Sequence, residues 1–215
     1  MPKTPDVFFT RRTILTGVVA LAAAPAIAAP KTPVVTMLGD SITAGFGLDS
    51  ADALPARLQA ELRQLGSAAR VRNAGVSGDT TSAGLRRLDF SVRPDTDVCV
   101  VALGGNDLLE GLDPKLVRSN LEKIVSRLQA RGVTVVIAGM QAPPALGGDY
   151  AVEFNTAFRW AERIPGVIAY PFLLDGVAGI RSLNQRDGIH PNAAGVKVIA
   201  HRLAPVVAKA LTVRR

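Results

Sequence analysis

The stretch Val34-Val35-Thr36-Met37-Leu38-Gly39-Asp40-Ser41-Ile42-Thr43-Ala44-Gly45 decides the architecture. Val34–Leu38 is a short apolar run closed by Gly39, which suits a buried strand, and Asp40 and Ser41 are favoured helix N-caps. Working outward, Leu54, Leu58, Leu62 and Leu65 recur at helical spacing, with Gly66 as a stop. Val71–Asn73 then reads as a strand, Thr81–Leu88 as a short helix and Val98–Leu103 as a fully buried strand. Leu116, Leu121, Ile124 and Leu128 mark a helix ending at Gly132, before a β-branched strand over Val133–Ala138. Val152 to Arg163 reads as helix and Val167–Tyr170 as strand. Asn192 to about Leu211 is helical, with a kink expected at Pro205. This alternation predicts an α/β fold of parallel strands, right-handed crossovers and helices on both faces. Such sheets bind ligands beyond the carboxyl ends of their strands, where strand order reverses.

Composition narrows the chemistry. The 215 residues are 48% hydrophobic and 20% charged, which argues for a folded domain rather than disorder. A lone Cys99 excludes an intramolecular disulfide framework and a cysteine-based zinc cluster, and two histidines cannot build a three-histidine metal site. Neither a metal nor a cofactor is expected. Cys99, among Val98, Val100 and Val101, reads as a small buried hydrophobe. The net charge of +7 raises nucleic acid as a partner, but the arginines are scattered and aromatics make up 5%. Neither a stacking platform nor a basic run is present, so nucleic-acid binding is not expected. The Arg86-Arg87 and Arg214-Arg215 pairs read as solvated surface and a frayed tail.

Residues 1–28 read as an export signal. Arg11-Arg12 precede an apolar stretch from Ile14 to Ala29, interrupted by Gly17 and Pro25, that closes on Ala26-Ile27-Ala28. A charged start, an apolar middle and a small-residue end are the parts that a signal peptidase requires. Thr10-Arg11-Arg12-Thr13-Ile14-Leu15 also resembles a twin-arginine signal. An uncleaved membrane anchor is the alternative, although the run is short and Ala-rich for a span. Residues 29–33 then form a linker, 34–211 a single domain and 212–215 a tail. A periplasmic or secreted monomer is expected, without a stable membrane span once the signal is removed.

Four segments follow the predicted strands. Gly39-Asp40-Ser41 places a hydroxyl on a tight turn opening a helix, which suits either a nucleophile or a plain helix cap. Gly45-Phe46-Gly47 would suit a phosphate-cradling loop, but completes no phosphate-binding motif. Asn73-Ala74-Gly75-Val76-Ser77-Gly78-Asp79-Thr80 offers backbone N–H groups through its glycines, and Ser77 as a rival nucleophile that misses the GxSxG pattern. Gly104-Gly105-Asn106-Asp107 offers a side-chain amide to a developing oxyanion, or an ordinary turn. Asp187-Gly188-Ile189-His190-Pro191-Asn192 places a carboxylate three residues before an imidazole, close enough to fix its tautomer. His201, off the apolar stripe Val196–Ala200–Leu203–Val207, reads as a surface residue.

Taken together, Gly39-Asp40-Ser41, Gly78, Gly105-Asn106-Asp107 and Asp187-x-x-His190-Pro191 resemble the blocks of the GDSL/SGNH hydrolase family, in order, over nearly the whole mature chain. Gly139–Gly147, Tyr170-Pro171-Phe172 and Leu183–Gly195 are similar to the bacterial arylesterase/thioesterase/lysophospholipase branch. The resemblance implies a three-layer α/β/α sandwich with a flavodoxin-like five-stranded parallel sheet. It implies Ser41 as nucleophile, His190 as base and Asp187 as its orienting acid, with an oxyanion hole from the Ser41 and Gly78 N–H groups and the Asn106 amide. The expected substrate is a small-molecule acyl ester, aryl or short to medium in chain, with thioesters and lysophospholipids within range. Leu109, Pro143 and Leu146 are candidate walls of the acyl site. A carbohydrate O-acetyl esterase on the same fold and a non-catalytic exported binding protein are the alternatives. Asp40, Asp79 and Asp107 read as caps or turn formers.

Overall fold

The computed structural model describes residues 1–3 and 31–213. The apolar stretch and cleavage point of the signal reading, and Arg214-Arg215, lie outside them. Five strands, β1 (Val34–Gly39), β2 (Arg70–Gly75), β3 (Val98–Ala102), β4 (Thr134–Ala138) and β5 (Val167–Tyr170), form one all-parallel sheet in the order β2-β1-β3-β4-β5. Strand order reverses between β1 and β3, so the crevice of a doubly wound sheet falls at their carboxyl ends. Every residue of β1 and β3 is buried, as their continuous apolar runs require. The edge strand β2 instead carries Arg70 and Arg72, both paired with Asp95. Such charges blunt an edge that would otherwise invite a further strand.

Among the described residues, eight helices complete the layers: α1 (Ser41–Ala44), α2 (Leu54–Gln64), α3 (Thr81–Arg86), α4 (Leu88–Ser91), α5 (Gly105–Leu109), α6 (Pro114–Ala130), α7 (Gly148–Arg159) and α8 (Ala193–Thr212). Helices α2 and α8 pack on each other over one face of the sheet, and α6, flanked by α3 and α7, covers the other. The core stripe of α6 is Val117, Leu121, Ile124, Val125 and Leu128, and that of α8 is Val196, Ile199, Ala200, Leu203 and Val207.

Several expected boundaries move. The helix expected over Thr81–Leu88 is two, broken at Arg87, whose side chain is drawn to the ends of β1 and β2. Leu65, Leu116 and Val152 are exposed: Leu65 lies past the last turn of α2, while Leu116 and Val152 lie off stripes led by Val117 and Ala151. Helix α7 starts at Gly148 and gives way after Arg159 to a 3₁₀ turn, Trp160–Arg163. Helix α8 continues through Pro205, which lies on its exposed side.

The register brings Gly39 opposite both Gly75 and Ala102. At this level α1 sits directly on the strand ends: a Cβ on Gly75 would lie 2.3 Å from the Ala44 backbone nitrogen, and one on Gly39 would lie 2.0 Å from Thr43 Oγ1. Only glycine admits so close an approach. Asp40 caps α1, its Oδ1 accepting the Ile42 N–H at 3.0 Å. The carboxyl is 2% exposed, and burial pushes it up to about 6 despite that hydrogen bond.

The native pKa of Asp40 lies above the ordinary 3.8, so between those values the folded chain binds a proton that the unfolded chain does not. Its contribution to stability is therefore fully present below about pH 3.8 and is lost as pH rises through about 6. Asp40→Asn keeps an acceptor for Ile42 and removes the titration. In thermal unfolding from pH 4 to pH 8, the stability of Asp40→Asn relative to wild type should rise with pH by up to roughly 3 kcal/mol. A difference that stays constant across this range would refute the reading.

Candidate active site

Ser41 is the first residue of α1, immediately beyond the end of β1. As at any helix start, its N–H has no intrahelical acceptor. Its Oγ lies 2.9 Å from His190 Nε2, and His190 Nδ1 lies 2.7 Å from Asp187 Oδ2. The second Asp187 oxygen accepts the N–H groups of Ile189 at 2.9 Å and His190 at 3.0 Å. The hydrogen bond from the His190 ring, with these two backbone donors, holds the Asp187 carboxyl down at about 2. The carboxylate therefore stays ionised, fixes Nδ1 as the protonated ring nitrogen and leaves Nε2 to accept from Ser41.

The loop carrying this pair is fastened before α8 by amide side chains. Asn192 caps α8 through the N–H groups of Ala194 and Gly195 while donating to Ser182 O and Asn184 O. Gln185 reaches further. Its N–H donates to His190 O at 2.7 Å, and its Nε2 donates to Pro191 O at 3.0 Å and to Phe46 O at 2.8 Å. Phe46 follows α1, and its ring packs against the His190 imidazole with centroids 4.7 Å apart. Gln185 thus ties the turn beyond the Ser41 helix to the His190 loop. The Gly47 side of that turn is tight, since a Cβ there would lie 2.4 Å from Gln185 Oε1.

On the other side of Ser41, the loop after β2 holds Gly78 at φ +85°, a conformation that glycine adopts without strain. Asn106, in the first turn of α5, donates from Nδ2 to Asp79 O at 2.9 Å, which fixes its amide against this loop. Asp107 is fully buried and clamps the start of α3, accepting from Thr81 N at 2.8 Å and Thr81 Oγ1 at 2.6 Å. Arg87 corrects the solvated-surface reading of the Arg86-Arg87 pair. Its side chain is 19% exposed and donates to Gly39 O, Ala74 O, Ser91 Oγ and the Asp79 carboxylate. Asp79 is accordingly an ion-pair partner rather than a side-chain cap. Arg87 and Gln185 escape sequence reading because both reach backbone carbonyls on distant segments, which leave no trace in residue type.

A groove of about 510 Å³ runs from Ile42 and Gly105, beside Ser41 and Asn106, toward Phe172 and Leu174. Leu109 and Pro143 line it. Leu146, in the 3₁₀ turn Pro144–Leu146, does not, and it is exposed. Ser77 is exposed in the loop after β2, and the imidazole meets Ser41 instead. His201 is exposed on α8, 3.0 Å from Glu61. Cys99 is buried in β3, and burial pushes its thiol up to about 12, so it is unreactive. Among the described residues, no helix is long and apolar enough to cross a membrane.

Comparison with known proteins places this arrangement. Residues 37–198 match the model of the GDSL-like lipase/acylhydrolase family. The chain is 35% identical to the esterase TesA of Pseudomonas aeruginosa over 92% of its own length and 98% of that protein. It is 33% identical to an arylesterase of Vibrio mimicus, over 81% of this chain and 88% of that one. Among solved structures, the SGNH-hydrolase family esterase AlinE4 superposes with a TM-score of 0.70 at 43% identity, covering 86% of this chain and 99% of AlinE4. A doubly wound sheet with Ser41, His190 and Asp187 in hydrogen-bonding sequence at its carboxyl edge, matched over most of its length, belongs to the GDSL-like lipase/acylhydrolase family and is a hydrolase of acyl esters.

Proposed function

We propose that this chain cleaves carboxylic esters through an acyl-enzyme on Ser41. The observation that carries the reading is the unbroken series Asp187 Oδ2, His190 Nδ1, His190 Nε2, Ser41 Oγ, at 2.7 and 2.9 Å. Ser41 Oγ attacks the acyl carbon while its proton passes to His190 Nε2, and Asp187 stabilises the imidazolium. The carbonyl oxygen becomes an oxyanion held by the Ser41 N–H, the Gly78 N–H and the second Asn106 Nδ2–H. The first Nδ2–H is held by Asp79 O, so the amide is aimed before substrate arrives. Collapse breaks the ester C–O bond, and the leaving alcohol takes the proton from Nε2. Water then repeats the sequence with His190 as base, releasing the acid and restoring Ser41 Oγ–H.

The groove's apolar walls suit aryl and short to medium acyl esters. The names of the relatives, arylesterase and, in Escherichia coli, thioesterase 1/protease 1/lysophospholipase L1, agree with that range. The groove's lining offers few polar partners for the hydroxyls of a sugar, which argues against a carbohydrate O-acetyl esterase. We further propose that residues 1–28 direct export to the periplasm or beyond, that residues 34–211 act as a single domain and that the chain is monomeric.

Ser41→Ala should lower kcat/KM for p-nitrophenyl butyrate by roughly 10⁴- to 10⁶-fold. His190→Ala should lose nearly as much, and His201→Ala should stay close to wild type. Retained turnover in Ser41→Ala, or a reversed order of the two histidines, defeats the assignment. Asn106→Ala should lower kcat by about 10²- to 10³-fold with little change in KM, because its amide meets charge only in the transition state. A change confined to KM contradicts that role. Gln185→Ala should lower kcat by roughly 10- to 100-fold at constant KM through misplacement of His190. Unchanged kcat would show that Phe46 packing alone suffices.

A further inference from the structure

A second cavity, of about 540 Å³, opens from the apolar groove, and the two share Gly179, Asn184 and Gly188 as a common wall. Their chemistry differs sharply. The groove is lined by no charged side chain, whereas the basin beside it is lined by Arg181 and Arg186 and by no carboxylate. Six arginines elsewhere, Arg57, Arg72, Arg87, Arg118, Arg127 and Arg202, each hold an aspartate or glutamate. Among the described residues Arg63, Arg86, Arg93, Arg159 and Arg163 are without an ion pair, but they line neither the basin nor the groove. Arg181 and Arg186 have no such partner among the described residues. The other polar side chains of the basin are already engaged: Asn184 Nδ2 donates to Val177 O and Ile180 O, and Gln185 Nε2 to Phe46 O and Pro191 O. Asp187, next to Arg186 in the chain, spends both oxygens on His190 and on its own loop. Two guanidinium groups therefore supply the basin's charge and its unengaged side-chain donors.

We propose that Arg181 and Arg186 form a subsite for an oxyanion carried by the substrate, so that the favoured esters are amphiphiles with a carboxylate or phosphate at one end. This rests on the reading of Ser41 above and adds the polar half of the substrate to it. The forked donors of guanidinium match both oxyanions, and the adjoining groove takes the apolar part of the same molecule. The charge can sit on the leaving alcohol or at the far end of the acyl chain, and both present the same group to the arginines. Because the basin is open to water, the gain is modest and sensitive to salt.

The test compares kcat/KM for three esters of equal acyl length: p-nitrophenyl octanoate, octanoyloxy-nitrobenzoate with a carboxylate on the leaving group, and the mono-p-nitrophenyl ester of suberic acid with a carboxylate at the acyl end. At low salt one anionic ester should exceed the neutral one by about tenfold, and which one does so locates the charge. That ratio should fall toward one in the double variant Arg181→Gln/Arg186→Gln and at high salt, and persist in the double Lys variant. Equal rates for all three esters in wild type, or a preference that survives the double Gln variant, overturns the proposal. Calorimetric titration of the Ser41→Ala protein with octyl phosphate and with neutral octyl glucoside separates the two readings. Octyl phosphate should bind about tenfold more tightly, and adding the two Gln substitutions should abolish the difference. If the esters are not turned over but this difference holds, the Ser41 reading fails and the subsite stands. If they are turned over and the difference is absent, the subsite fails alone.

Discussion

One guanidinium holds the carboxyl edge of the sheet in shape. Arg87 donates to the last carbonyl of β1, to a carbonyl near the end of β2, to Ser91 and to the Asp79 carboxylate. The loop that follows β2 is thereby bound to the strand that presents Ser41. A parallel sheet leaves the backbone at this edge without ladder partners, because each strand ends and turns away. Arg87 supplies donors to that edge and aligns two segments whose separate motions would pull the site apart. Asn106 extends the arrangement to β3 through Asp79 O, so three consecutive positions of the sheet share one polar lattice. The buried clamp of Asp107 on Thr81 fixes the helix from which Arg87 emerges, and Asn120 of α6 joins it through Thr81 and Ser82.

This arrangement explains what could be read from the chain and what could not. The strands β1, β3 and β4 are legible because a strand buried among parallel neighbours needs a continuous apolar run, and Val98–Ala102 can serve few other ends. Helices α6 and α8 are legible through their apolar stripes. His190 is legible because the chain has only two histidines, and Ser41 and Asp187 because one falls just beyond a strand and the other three residues before that histidine. The break at Arg87 is not, because nothing local ends that helix; its cause is a pair of carbonyls on strands far away in sequence. Leu65, Leu116 and Val152 mislead for a related reason. Periodicity shows that a helix has an apolar side, but which of two adjacent residues faces the core depends on how the helix is rolled against the sheet. Gln185 combines both difficulties, being an ordinary amide whose partners lie on two different loops.

The electrostatics divide the site between a buried and an open acid. Asp40, next to Ser41 in the chain, has burial working against its charge, while Asp187 at the surface has three donors working for it. The fixed negative charge therefore lies behind the imidazole, where it favours the imidazolium, and the carboxyl nearest the backbone of Ser41 is the one most easily neutralised.

The connections that carry Ser41, Asn106 and the Asp187–His190 pair also line the groove, through Ile42, Leu109 and Ile189, while a further connection only lines it. Ser41, Asn106 and the Asp187–His190 pair come from the segments after β1, after β3 and before α8, whereas Pro143 and its neighbours come from the segment after β4. Segments between fixed strands tolerate exchange far better than the strands themselves. The exposed span from Pro143 to Gly147 can therefore drift in length and composition with little penalty to the segments that carry Ser41 and His190, whereas Gly139, where a Cβ would lie 2.5 Å from Pro171 O, cannot. Descendants of such a chain would diversify in diet before they diversified in mechanism.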